Sequence, residues 1–286
     1  MRIDAHHHVW TLSEHPQTWM TPDQAETIGR DFSLADWSEA ATPSGLTHSV
    51  IVQTVEDANE TLELLTLARQ SPAALGVVGW VKAGPDDPGQ QLARILDHPG
   101  SEKLVSVRDL TEYRSDPEWL AGDEAGRLFK AAGNAGLAVD LLIRPEHQAA
   151  AARAVAKTPE TRFIVNHLGK PDMDHTGAAD WGESMAAISG SPNAAIKLSG
   201  MATLARDFKT VRGRLPEYVD ECLRLFGPDR MMFGSDWPVS LTGASYADLV
   251  TAVTAPLESL SAAEQESVWA GTACHWYGLE LPKEIK

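Results

Sequence analysis

The chain has 286 residues, of which 43% are apolar and 22% charged, proportions that supply a sizeable core and exclude a disordered polypeptide. Forty acidic against 24 basic side chains give a formal charge of −16, which repels phosphate backbones and anionic lipid surfaces and excludes nucleic acid and membranes as partners. The opening MRIDAHHHVW carries no apolar signal region, no apolar run reaches the roughly 18 residues of a membrane span, and Cys222 and Cys274 have neither disulfide-framework nor metal-site spacing, so a cytoplasmic protein is expected.

In chain order, the first predicted strand covers 2–5 and runs into His6-His7-His8. Strand side chains alternate, so His6 and His8 share one face and His7 takes the other. Two imidazoles so placed suit a divalent metal or a polarised carbonyl, and an isolated HxH equally suits hydrogen-bonded core histidines. The connection 11–47 is long, holds Trp19, Trp37 and several prolines, and is expected to wall the active site. The second strand, 49–53, is followed by Gln53, Glu56 and Asp57; Glu56 is either a metal ligand or a helix-start charge. Helices are predicted over 58–70, 89–96, 124–135, 145–157, 218–226 and 246–257, and strands over 75–81, 104–108, 137–143, 162–166, 195–198 and 231–234.

Several strands end in chemistry-bearing residues. Arg108 closes the fourth and Arg144 follows the fifth; each guanidinium either orients an anionic or hydroxylated substrate or pairs with the abundant acids. His167 ends the sixth before a Gly and Pro break, and the alternation of Lys197 and Ser199 near the seventh leaves one of them inside. Asp236 follows Gly234 and Ser235 at the end of the eighth, where an Asp is commonly a turn or cap residue. Trp10, Trp80 and Trp237 neighbour these positions and either line a pocket or pack in the core. His15, His48, His98, His147, His175 and His275 are assigned to surface and loops, and 261–272 to a final helix on the barrel exterior.

Eight near-continuous apolar strands alternating with helices favour an α/β fold, a closed (β/α)8 TIM barrel in a single domain spanning 1–286. An open doubly wound sheet would carry a glycine-rich loop after its first strand, where DAHHHVW stands instead. Three histidines and one aspartate then fall at the same end of separate strands, the end that carries active sites in barrels.

These motifs, IDAHHHVW, VIVQTVEDANET, GVVGWV, DLLIRPEHQ, FIVNHLGKPD, IKLSGM and MMFGSDWPVS, resemble in order and over nearly the whole chain the amidohydrolase-related sugar-acid lactonases, whose members open L-fuconolactone and L-rhamnonolactone. The resemblance implies a (β/α)8 barrel, a hydrolytic site at His6, His8, His167 and Asp236, and an optional single zinc ion held by His6 and His8 together with Glu56 or Asp236. Arg144, where binuclear relatives have a metal-binding histidine, argues against two metals, and Asp109 stands where many members have His. Arg108, Arg144, Gln53 and Trp237 are the candidate substrate contacts. The expected reaction is lactone hydrolysis with Asp236 as general base; a metal-dependent decarboxylase of a small acid and a non-catalytic ligand-binding barrel are the alternatives, and monomer and homodimer both stay open.

Overall fold

The computed structural model describes residues 1–84 and 86–281. Eight strands, β1 (Ile3–His7), β2 (His48–Val52), β3 (Ala74–Gly79), β4 (Leu104–Asp109), β5 (Ala138–Leu141), β6 (Arg162–Val165), β7 (Ala194–Leu198) and β8 (Met231–Phe233), lie side by side in sequence order. Each pairs with the next in parallel. The ring closes where the chain beyond β8 meets β1: the His8 N–H donates to the Trp237 carbonyl at 2.7 Å and the Asp236 N–H to the His6 carbonyl at 2.8 Å. This is the TIM barrel that the strand and helix alternation predicts, and every predicted strand is present.

The barrel helices are α3 (Ala58–Arg69), α4 (Pro88–Leu96), α5 (Asp123–Asn134), α6 (Gln148–Lys157), α7 (Ala178–Ser189), α8 (Phe208–Leu225) and α9 (Tyr246–Leu257), preceded by α1 (Pro22–Ile28) and α2 (Leu34–Ala41) and followed by α10 (Ala262–Glu266) and α11 (Thr272–Tyr277). The long connection expected to wall the site contains α1 and α2, each opened by a capping box, Thr21 with Gln24 and Ser33 with Asp36. In α8 the helix begins ten residues before the predicted start. Gly213 and Pro216 obscure its sequence signature, but Val211, Leu215, Val219 and Cys222 form a buried stripe at helical spacing that holds it to the barrel. None of the described helices is long and apolar enough to cross a membrane.

Two apolar clusters separate the faces of the sheet. Ile51, Val77, Val107, Val139, Phe163, Ile196 and Phe233 pack against the helices, while Ile3, Ala5, Val50, Val52, Val105, Ala138, Ile164, Ala195 and Met232 fill the barrel. The interior cluster also contains Ala270, Ala273, Trp276 and Tyr277. The final helical segment is therefore not simply an exterior helix: Val268 and Trp269 join the outer layer, and the end of α11 plugs the floor of the barrel. His15 and His147, assigned to surface or loop, are also buried, His15 with its Nε2 2.8 Å from Glu63.

Candidate active site

The histidines of β1 reach the interior because the strand breaks its own alternation. Ile3 and Ala5 face inward and Asp4 outward, and a register shift between Asp4 and His7 then turns His6 and His8 inward as well. His7 is left outside, stacked on Trp37 at 4.8 Å with Nε2 2.9 Å from Ser49 Oγ. Asp4 anchors the outside of this bulge. Its carboxylate accepts from the His6 and Ser235 N–H groups, from the Ser235 and Tyr246 hydroxyls, and from Trp37 Nε1.

That clamp on Ser235 sets the end of β8. Gly234 lets His6 approach, since a Cβ there would lie 2.6 Å from His6 Cβ. With Ser235 fixed, Asp236 takes a left-handed conformation (φ 57°), which an aspartate tolerates better than most residues, and projects its carboxylate over the barrel mouth. At the end of β6 the backbone is more strained: His167, Leu168, Gly169 and Lys170 all have positive φ, forming one left-handed turn. The strain is held by the buried Leu168 side chain and by Trp181 Nε1, which donates to the Leu168 carbonyl at 2.8 Å. Gly200 makes room for the result, because a Cβ there would lie 2.6 Å from the His167 ring.

The four residues singled out in the sequence converge. Asp236 Oδ1 lies 3.2 Å from His8 Nε2, 3.7 Å from His6 Nε2 and 3.8 Å from His167 Nε2. His8 Nδ1 donates to the Val52 carbonyl at 2.7 Å and the Ser199 hydroxyl is bonded to His167 Nδ1 at 2.8 Å, so in both rings Nε2 faces the carboxylate. Burial alone would raise the Asp236 carboxyl, but His167, the His8 contact and the Lys170 charge outweigh it and hold the group below the usual carboxylate range. Burial pushes the His167 imidazole down to about 3, and burial with the nearby Lys197 charge pushes His6 well down, so both rings are neutral near pH 7.

Beneath this cluster lies a buried polar chain. Lys197 Nζ sits 2.6 Å from Asp140 Oδ2 and 3.1 Å from His6 Nδ1, with both Lys197 and Asp140 sealed from solvent. Asp140 also accepts from Ser106, from Asn166 and from the Tyr277 hydroxyl of the barrel floor. Lys197 and Ser199 were expected to split between faces, but residues two apart share a face, and both contact the site histidines. Asp140, Tyr277 and Asp4 went unsuspected because an isolated acid or tyrosine inside an apolar run gives no signal of its partner.

Arg108 is buried, with Nη1 3.4 Å from His6 Nε2 and Nη2 donating to the Gln53 carbonyl, and its Nε has no protein partner. A cavity of about 260 Å³ opens above the cluster, lined by His8, Arg108, Glu112, Arg144, His167 and Asp236 among others. Trp19, Thr21 and Gln24 from the first long connection contribute to its wall. Other predicted contacts lie elsewhere. Gln53 is buried behind Arg108, where its Nε2 donates to the Arg108 carbonyl, and Trp237 packs edge-on to Phe32; neither lines the cavity. Glu56 faces Arg114 and is outside the ligand cluster. Asp109 is turned away too: it accepts from Arg114 Nε and Nη2, Thr111 Oγ1 and Trp119 Nε1, stapling the loop after β4 rather than lining the cavity.

The donor set fits one divalent ion. Ligand atoms of His6, His167 and Asp236 lie within 4.8 Å of one another, all buried; of the expected ligands His6 and Asp236 belong to this trio, His8 and Glu56 do not, and His167 joins it. The residues 3–279 match the amidohydrolase family. The chain is 31% identical to an L-fucono-1,5-lactonase of Burkholderia multivorans, covering 100% of this chain and 99% of that protein, and 28% identical to an L-fucono-1,5-lactonase of Burkholderia ambifaria, covering 98% and 97%. A crystal structure of an amidohydrolase from Burkholderia multivorans with bound zinc superposes with a TM-score of 0.90 at 28% identity, covering 98% of this chain and 100% of that one. By its full-length match, its barrel and its strand-end histidines and aspartate, the chain belongs to the amidohydrolase family.

Proposed function

We propose that the protein hydrolyses a sugar-acid 1,5-lactone of the L-fuconolactone or L-rhamnonolactone type, with Asp236 as general base. The observation that carries this reading is the Asp236 carboxylate, set among three imidazoles on the wall of a cavity beside Arg108. The two lactonase relatives supply the substrate class. In the reaction, Asp236 takes a proton from water as its oxygen bonds to the lactone carbonyl carbon, and the carbonyl electron pair moves to oxygen. The Arg108 guanidinium, whose Nε–H is unpartnered, and the His6 and His167 rings stabilise that oxyanion. Collapse breaks the ring C–O bond, and the proton returns to the departing hydroxyl. Because His8 Nδ1 is committed to a carbonyl, the 3.2 Å contact between His8 Nε2 and Asp236 holds the transferred proton between the two groups. Arg144 and Lys170 contact ring hydroxyls.

A single divalent ion such as zinc, when bound, would be held by His6, His167 and Asp236 and would supply Lewis-acid polarisation of the carbonyl. Arg108 and Lys197 place positive charge against both nitrogens of His6, which weakens cation binding there, and Arg108 supplies charge for the oxyanion without the ion. A pH-indicator assay on a panel of sugar γ- and δ-lactones, with chelator-treated protein, is expected to show turnover of δ-lactones that zinc raises less than about tenfold. Absence of turnover with and without zinc would sink the reading.

The acid limb of activity follows from the same geometry. Activity requires ionised Asp236, whose pKa is lowered, and neutral His167, whose pKa is about 3, so acid inactivation falls below the usual carboxylate range. Neither Asp236 nor His167 is therefore expected to contribute an acid limb to kcat/KM between about pH 7 and about pH 5. An acid limb near about 6.5 in a stopped-assay profile that persists in His8→Gln would assign the base to another imidazole instead.

A further inference from the structure

We infer that Glu112 makes the pocket selective for uncharged polyhydroxylated lactones and against lactones that carry a carboxylate. The inference rests on the lactonase reading and names its substrate class. Two cations stand on the cavity wall, Arg144 after β5 and Lys170 in the left-handed turn after β6. Unpaired, with Arg108 beside them, they would form an anion site. Glu112, in the turn 111–113 after β4, reaches across both: its Oε2 is ion-paired with Lys170 Nζ and lies 3.8 Å from Arg144 Nη2. The Glu112 side chain is only 4% exposed, whereas Lys170 is 24% and Arg144 48% exposed.

Such a buried carboxylate is not an ordinary surface pairing. It leaves the cavity lining with three cations, Arg108, Arg144 and Lys170, against two carboxylates, Glu112 and Asp236. A substrate carboxylate approaching Lys170 or Arg144 meets a fixed like charge that water screens poorly at this depth. A ring hydroxyl meets complementary groups instead, because it accepts from the ammonium or guanidinium and donates to Glu112 at once. The triad therefore reads hydroxyls, and Glu112 weakens the anion site that Lys170 and Arg144 would otherwise form. Specificity of this kind comes from the repulsive element as much as from the attractive one.

The experiment compares wild type, Glu112→Gln and Lys170→Met on a neutral aldono-1,5-lactone and on a lactone of the same ring that bears a free carboxylate, and measures binding of the corresponding aldarate dianion by calorimetry. Wild type is expected to favour the neutral lactone by at least about tenfold in kcat/KM. Glu112→Gln removes the charge at constant shape, so the neutral-to-anionic ratio should fall by about tenfold or more and the dianion should bind at least about tenfold more tightly. Lys170→Met, which deletes a cation, should move the ratio and the dianion affinity the other way, and it decides the question if Glu112→Gln does not fold. An unchanged ratio and unchanged dianion affinity in the folded variants overturn the role of Glu112. Tighter dianion binding by Glu112→Gln in a protein that turns over no lactone would instead retain the charge filter and remove the lactonase reading.

Discussion

Replacement of Asp236 by Asn is expected to lower kcat by about 10³-fold or more while the unfolding midpoint hardly moves. Asparagine has the same shape and, like aspartate, tolerates the left-handed backbone at this position (φ 57°), so the strand end and the clamp on Ser235 persist. The amide still packs against His8, His6 and His167, yet it takes no proton from water. Steady-state hydrolysis and thermal unfolding of the same preparations separate the two effects. Turnover within a fewfold of wild type would remove Asp236 as the base; a collapsed midpoint would show that the carboxylate is holding the barrel together instead. Asp236→Ala is the less informative variant, because a non-glycine residue without a local hydrogen-bonding side chain is strained at this backbone angle.

Lys197→Met should have the largest effect on stability. Lys197 and Asp140 are both sealed from solvent, and burial pulls the Lys197 ammonium below its usual pKa despite the opposing pull of Asp140. Deleting the cation leaves Asp140 as an uncompensated buried carboxylate, although Ser106, Asn166 and Tyr277 still donate to it. Breaking a buried pair from one side costs about 3–5 kcal/mol, a large share of the roughly 5–15 kcal/mol that holds a typical domain folded. Adding Asp140→Asn neutralises the remaining charge and should recover most of that loss in denaturant unfolding. Turnover should not recover with it, because His6 Nδ1 has lost the ammonium that fixes its ring against Asp236. If the double variant regains both stability and activity, Lys197 serves the fold alone; if the single variant is as stable as wild type, the pair is not ionised.

The site was more legible than its supports. His6, His8, His167 and Asp236 stand at the ends of strands with strong apolar periodicity, so chain order and strand polarity alone bring them to one rim of a barrel. Gln53, Glu56 and Trp237 sit equally near strand ends, yet the structure turns them behind Arg108, toward Arg114 and against Phe32. Position relative to a strand end fixes which rim a residue reaches and leaves its direction open. Glu112 and Lys170 had no signal as a pair because they lie 58 residues apart in the chain and meet only when β4 and β6 stand on either side of β5. The same holds for the Asp4 clamp on Ser235, 231 residues away.

What the sequence by itself determined is the alternation of eight buried strands with amphipathic helices, and with it the barrel, the rim that carries the chemistry and the residue types available there. Those features are written in local periodicity and in the residues that stop each strand, which depend on near neighbours in the chain. The tertiary structure decided the facing. Strict alternation from Ile3 and Ala5 would send His7 into the barrel, and only the bulge against β2 turns His6 and His8 inward. It also decided that Lys197 spends its charge on Asp140 and His6, that Asp109 staples a loop, and that Tyr277 closes the floor. Each of these is a contact between distant segments, settled by register and by the need of every buried charge and donor to find a partner, and a one-residue slip would reassign them all.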